Sequence, residues 1–274
     1  MAQRSELTGA SVAADPEILG RLEVGQTRRR RLFRLQFWLV WLGLVGALVG
    51  ALWLTDKIDP AFIAIWSPFI LGGAGLTIFI CLSSIILATA LALVGAIARL
   101  SSNSAIFAIA SLYVSLIRGT PLIVQILFWY LALPQLGIVL SALTCGILAL
   151  GVNYGAYMTE IFRAGIQAVP QGQREAAEAL GLPERMVMRR IVLPQAFRIM
   201  VPAIGNEFIA MIKDSALVSV IGVGELLWRA QSVGQRHFRT LETLLIAAVV
   251  YWALTITFSL LQERLERRMA RADR

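Results

Sequence analysis

Long apolar runs, broken only by short polar segments, decide what this chain can become. Within its 274 residues, six stretches are long enough to span a bilayer core, which takes about 20 apolar residues in a helix. They cover Leu35–Leu54, Phe69–Ala98, Ile106–Leu133, Leu136–Phe162, Phe197–Val220 and Thr243–Leu261. The chain is 58% hydrophobic with a mean hydropathy of +0.73, too apolar for a soluble domain of this size. The fold class expected is therefore all-α, a polytopic membrane protein of six transmembrane helices. Several runs exceed 20 residues, so tilt or extension beyond the bilayer is expected.

The net charge is +8, and lysine occurs only at Lys57 and Lys213. The arginines sit at the ends of the apolar runs, where they act as topology signals and not as a nucleic-acid footprint. Arg28–Arg31 and Arg34 precede the first run, Arg99 follows the second, and Arg163, Arg174, Arg185, Arg189, Arg190 and Arg198 flank the polar stretch after the fourth. Arg264, Arg267, Arg268 and Arg271 follow the sixth. Six crossings put all of these on one side, the cytoplasm of a bacterial inner membrane, together with both termini. The loop Gly222–Glu242 departs from the rule: it is external yet carries Arg229, Arg236 and Arg239. Residues 1–27 are polar and mixed in charge, and the apolar run after them is too long for a signal peptide, so they read as a cytoplasmic tail. Cys81 and Cys145 lie inside apolar runs and read as small buried residues. The single histidine, His237, has no cluster of cysteines or carboxylates near it in sequence and reads as a solvated surface residue, not a metal ligand.

The third run is interrupted by Arg118-Gly119-Thr120-Pro121. Pro121 removes a backbone donor and disfavours helix at Thr120, so a kink or break is expected; within a membrane such backbone must be buried in protein or line a cavity. The cytoplasmic segment Gly172–Pro194 reads as two short helices. The first, about Gln173–Leu180, is slim and strongly helical through Ala176, Ala177 and Ala179, acidic through Glu175 and Glu178, and ended by Gly181 at positive φ. The second starts at Pro183 and stops at Pro194. Such a pair is either a solvated connection or a helix that docks into a groove on a partner, its small residues permitting close approach.

The spacing of Glu175-Ala176-Ala177, Gly181, Ile191, Leu193 and Pro194 resembles the EAA loop of permeases of ATP-binding-cassette importers. Gly73-Ala74-Gly75-Leu76-Thr77, the stretch from Tyr113 through Arg118-Gly119-Thr120-Pro121-Leu122 to Gln125, and Tyr157 with Glu160-Ile161-Phe162-Arg163-Ala164-Gly165-Ile166 are similar to the polar amino-acid subfamily over about residues 72–268. One departure is Lys213-Asp214-Ser215-Ala216, where the subfamily usually has Lys-Asp-Thr-Ser. The resemblance implies a permease subunit of an ATP-driven, binding-protein-dependent importer of polar amino acids. It implies ATPase coupling through Glu175, Ala176, Ala177, Gly181, Ile191 and Pro194. Its implied partners are an ATPase dimer, a second permease chain, identical or related, and an extracytoplasmic solute-binding protein. The organisation expected is a tail over 1–34, an extra helix and external loop over 35–68, a five-helix core over 69–263 with the coupling loop at 163–194, and a basic tail over 264–274.

A phosphate-binding Walker loop needs Gly-Lys-Ser/Thr, and here Lys57 precedes Ile58 and Lys213 precedes Asp214. ATP and magnesium are therefore expected on a separate ATPase chain, with no cofactor on this one. Ionisable groups inside a bilayer cost about 2.5–3.5 kcal/mol or more unless paired or wet, so they are candidates for function. Asn153, Tyr157 and Glu160 share a stripe of the fourth span, Glu207 and Asp214 share a face of the fifth, and Asn206, Lys213 and Gln125 join them as candidates for a substrate pathway or gate. Lys213 is the expected partner of a substrate carboxylate. Glue between helices is the other role open to such residues, and Glu160 with Arg163 has the spacing of an ion pair. An ion-gradient-driven carrier of small polar solutes is the alternative from another class; such carriers often show inverted repeats and paired broken helices, and this chain has one break. No nucleophile–base pattern points to an enzyme.

Overall fold

The computed structural model describes residues 16–54 and 58–271 as eleven α-helices with short π and 3-10 turns. The tail expected over the first 15 residues, loop residues 55–57 and the last three residues of the basic tail lie outside the described residues. The chain divides into two units, residues 1–59 and 60–274.

The first unit is a single helix, α1 (Pro16–Leu54), apolar from Leu32 to Ala47. It starts well before the expected first span, so residues 16–27, read as tail, are helical here: they contain no proline after Pro16 that would interrupt the ladder.

In the second unit α2 (Pro60–Leu71) turns at Gly72 into α3 (Gly73–Arg99). The loop expected up to Ser67 is thus helical from Pro60, a favoured first helical residue. Next come α4 (Ser104–Arg118), capped by Asn103 through its Oδ1, and the short α5 (Leu122–Leu127), continued by a π turn at Phe128–Ala132 and a 3-10 turn at Leu133–Leu136. The break at Gly119–Pro121 bends α4 against this continuation by 103°. Ser141 caps α6 (Ala142–Gln167), so Leu136–Ser141, taken as the start of the fourth span, is connection. Then follow α7 (Gln171–Ala179), α8 (Glu184–Val187), a π turn, and α9 (Leu193–Asp214) with a 3-10 continuation to Ile221. The segment after Gly222 holds α10 (Leu226–His237), and α11 (Thr240–Arg271) follows.

Two helical stretches among the described residues, 60–99 and 240–269, are long and apolar enough to cross a membrane, and the bent α4–α5 pair makes three. Length and apolarity alone therefore do not reproduce the count of six: α6 and α9 carry the polar residues Asn153, Glu160, Asn206, Glu207, Lys213 and Asp214.

The core lies where α3 and α6 run face to face. Ala88, Ala92 and Ala96 of α3 are buried, and α6 answers with Gly151 and Gly155. A Cβ at Gly151 would stand 2.6 Å from Leu87 Cδ2, and one at Gly155 would stand 2.8 Å from the Tyr113 hydroxyl. Small residues let the backbones approach, the usual device where lipid supplies no hydrophobic drive between helices. Met211, Ile212 and Val218 extend this core along α9 and its continuation.

Candidate functional site

The break between α4 and α5 opens one wall of a cavity of about 480 Å³. Arg118, Gly119, Thr120, Pro121 and Leu122 come from the break, Asn153, Tyr154 and Tyr157 from α6, and Glu207 and Asp214 from α9. Helical periodicity brings the last two together, since residues seven apart share a face. Pro121 explains the opening: without its amide, α4 cannot run on into α5, and the carbonyls left over need other donors. Gln125 supplies them. Its Nε2 donates to the carbonyls of Ile117 (2.8 Å) and Thr120 (3.1 Å) and contacts Thr120 Oγ1 at 2.9 Å. Its Oε1 accepts from Asn153 Nδ2 at 3.2 Å, tying the break to α6.

Charge is distributed unevenly around the cavity. The Arg118 guanidinium lies over the Tyr157 ring, 5.1 Å from its centroid, where the ring quadrupole favours a cation. The Tyr154 hydroxyl donates to Asp214 Oδ2 at 2.8 Å. Of the eight pathway residues expected from sequence, Asn153, Tyr157, Glu207 and Asp214 line the cavity, and Gln125 stands behind it through Asn153. Glu160 does not reach it. Its carboxylate pairs with Arg163 (2.8 Å) and Arg99 (3.2 Å), while Arg99 also bonds Ser111 and stacks on Phe107. The pair expected at i, i+3 is thus part of a node joining α3, α4 and α6. Asn206 accepts from Gln262 of α11 at 3.1 Å. Lys213, expected to meet a substrate carboxylate, is exposed on another face of α9 and does not line the cavity, because adjacent helical residues diverge in direction. The cation that lines the cavity is Arg118. Sequence reasoning treated it as part of a break motif, although a lone arginine inside an apolar run is itself the signal for a functional charge.

Residues 171–192 adopt a helix–turn–helix form. The α7 helix ends in Gly181 at φ +75°, with the Leu182 amide bonded to the Ala177 carbonyl (3.1 Å) and the Gly181 amide to Glu178 (2.8 Å). This is a Schellman cap, which needs a residue free to take the left-handed conformation. Ala177 is buried, whereas Glu175, Ala176, Ala179 and Leu180 face outward and Gly181 is exposed at the turn. Ile191 is half-buried. Pro183 caps α8 instead of opening it, and Pro194 lies in the first turn of α9 instead of ending a helix, where its missing amide costs no hydrogen bond. Two bonds join α7 to the cavity-lining helices. Arg174 Nη2 donates to the Ile166 carbonyl near the end of α6 (2.7 Å), and Gln195 Nε2 of α9 donates to Gln173 Oε1 (2.5 Å).

At the start of α10, Glu225 is fully buried. Its carboxylate accepts from Tyr251 of α11 (2.5 Å), Thr77 of α3 (3.3 Å) and the Trp228 amide (2.8 Å), capping α10 while binding it to two other helices. His237, read from sequence as a solvated residue, is exposed but packs its ring against Trp66 (4.8 Å) and Phe62 (5.7 Å) of α2.

Known proteins resemble this chain in sequence and in fold. Residues 90–271 match the model of the family described as binding-protein-dependent transport system inner membrane component. The arginine transport system permease protein ArtQ of Bacillus subtilis (strain 168) is 40% identical over 207 residues, which are 75% of this chain and 94% of that protein. The L-cystine transport system permease protein TcyB of the same organism is 40% identical over 217 residues, 79% of this chain and 91% of that one. A crystal structure of an amino acid ABC transporter with histidines superposes with a TM-score of 0.74 at 41% identity, covering 77% of this chain and 99% of that chain. An inward-facing MetNI methionine ABC transporter, 19% identical with a TM-score of 0.64 over 73% of this chain and 96% of that one, shares the fold. With two thirds of its length inside the family model and both cavity-lining helices within that match, the chain belongs to the binding-protein-dependent transport system inner membrane components.

Proposed function

We propose that this permease conducts polar amino acids through the cavity between the α4–α5 break, α6 and α9, driven by a separate ATPase. The observation that carries the reading is the double attachment of α7: one short helix, exposed at Glu175, Ala176 and Gly181, is bonded to both helices that line a charged cavity. A partner that grips α7 therefore holds a lever on the cavity walls. ATP and magnesium belong to that partner, an ATPase dimer, which docks on Glu175, Ala176, Ala177, Gly181, Ile191 and Pro194. The transport names of ArtQ and TcyB support an amino acid as cargo.

A second permease chain completes the pathway. Asn206 and Lys213 lie seven residues apart on an exposed face of α9, and a lysine facing lipid there would cost several kcal/mol, about 2.5–3.5 by insertion scales. A facing chain and the water-filled path between the two relieve that cost. The external α10 segment receives a solute-binding protein, and the arginine distribution supports both termini in the cytoplasm of a bacterial inner membrane.

Co-purification of a candidate ATPase in detergent tests the coupling. The native chain is expected to retain it, and the Glu175→Arg plus Gly181→Trp variant, inserted and folded, is expected to lose it. A native chain that binds no ATPase, or a variant that binds as well, sinks the coupling reading and favours a gradient-driven carrier.

A further inference from the structure

Three charged side chains line the cavity, and they do not cancel: Glu207 and Asp214 are acidic and Arg118 is basic. Resting on the reading of this cavity as an amino-acid site, we infer that its substrate is an amino acid with a cationic side chain, of the lysine–arginine class. A bound zwitterion brings one carboxylate and one ammonium. The guanidinium of Arg118, steadied over Tyr157, presents the planar fork that matches a carboxylate. One of the two acids meets the ammonium. With a neutral side chain the other acid, half-buried on α9, stays without a counter-charge, and with an acidic side chain a further negative charge is added; both are less favourable than a neutral site where partial burial weakens screening. A cationic side chain pairs with it and brings the occupied cavity to neutrality.

Geometry agrees with this pairing. Asp214 keeps one oxygen on the Tyr154 hydroxyl at 2.8 Å, and a carboxylate has lone pairs left for a second donor. The two acids stand two helical turns apart on one face of α9, so they present separate binding points along the cavity instead of one shared point. The volume, about 480 Å³, lies within the usual range for small-ligand sites and leaves room for a long side chain. The other polar groups, Asn153 and Thr120, are neutral and already engaged with Gln125, so they do not shift the charge balance.

Binding to the full chain in lipid nanodiscs tests this, with radiolabelled L-arginine displaced by unlabelled L-arginine, L-glutamine or L-glutamate. L-arginine is expected to bind at least about tenfold more tightly than L-glutamine, the worth of one charge-assisted hydrogen bond, and L-glutamate more weakly still. Glu207→Gln is expected to bring L-arginine and L-glutamine within about threefold of each other, with Asp214→Asn as a second variant should the first fail to fold. If the unmodified chain binds L-glutamine as tightly as L-arginine, and Arg118→Ala weakens both, the charge inference falls and the amino-acid cavity stands. If none of the three amino acids binds, or Arg118→Ala leaves their binding unchanged, the reading of the cavity falls and takes the inference with it.

Discussion

Single side chains in this protein do different work according to the face on which the helix presents them. Asp214 and Lys213 are neighbours in sequence, yet the first lines a cavity and the second is exposed on α9. Tyr154 holds Asp214 in place with one charge-assisted hydrogen bond. Such a bond is worth about 1.5–3 kcal/mol, so Tyr154→Phe is expected to slow amino-acid uptake into proteoliposomes about tenfold while ATPase co-purification is unchanged. An uptake rate equal to that of the unmodified chain would show that Tyr154 has no part in positioning Asp214. At this scale the sequence was informative where spacing decides: Glu207 and Asp214 fall together because seven residues make two turns, and Gly181 takes a positive φ because the turn after α7 requires it. It was not informative where direction depends on packing. Lys213 is expected at a substrate carboxylate because it is a cation in the right span, and only the packed structure shows that the cation lining the cavity is Arg118, from α4.

Among the elements, α7 has the most consequence for its size. Its bonds to Ile166 and Gln195 join it to α6 and α9, which carry five of the cavity-lining residues between them. Arg174→Met with Gln195→Leu removes both bonds and leaves the outward residues Glu175, Ala176 and Gly181 in place. The expected result is uncoupling: the assembled complex still hydrolyses ATP, while the number of ATP molecules used per amino acid moved rises several-fold. An unchanged ratio would mean that motion passes to the cavity by another route. Helix existence is legible from apolar length and from stop signals such as Gly181, but the helices α2 and α10 are not. The α2 helix was hidden because Pro60–Ser67 reads as connection between spans, and α10 because its residues are polar and basic. What fixes α10 is tertiary: Glu225 caps it and is itself held by Tyr251 and Thr77, from elements far away in sequence.

For the molecule as a whole, the division at residue 59 separates the unit with α1 from the body that holds the cavity, the α7 attachments and the bonds of Glu225. The family match, residues 90–271, falls entirely within that body. Removing residues 1–58 is therefore expected to leave reconstituted uptake within about twofold of the full chain, once inserted protein is matched by quantitative labelling. A loss of uptake with normal insertion would assign α1 a part in transport. The Gln125 amide has a consequence on this scale too. By satisfying the carbonyls that Pro121 leaves open and reaching Asn153 as well, it makes the cavity wall chemically complete without a guest. The backbone there asks nothing of the cargo. On the proposed reading, selectivity then rests on side chains that can be exchanged without disturbing this frame, so a change of a few charges is expected to change what is carried and leave the fold intact.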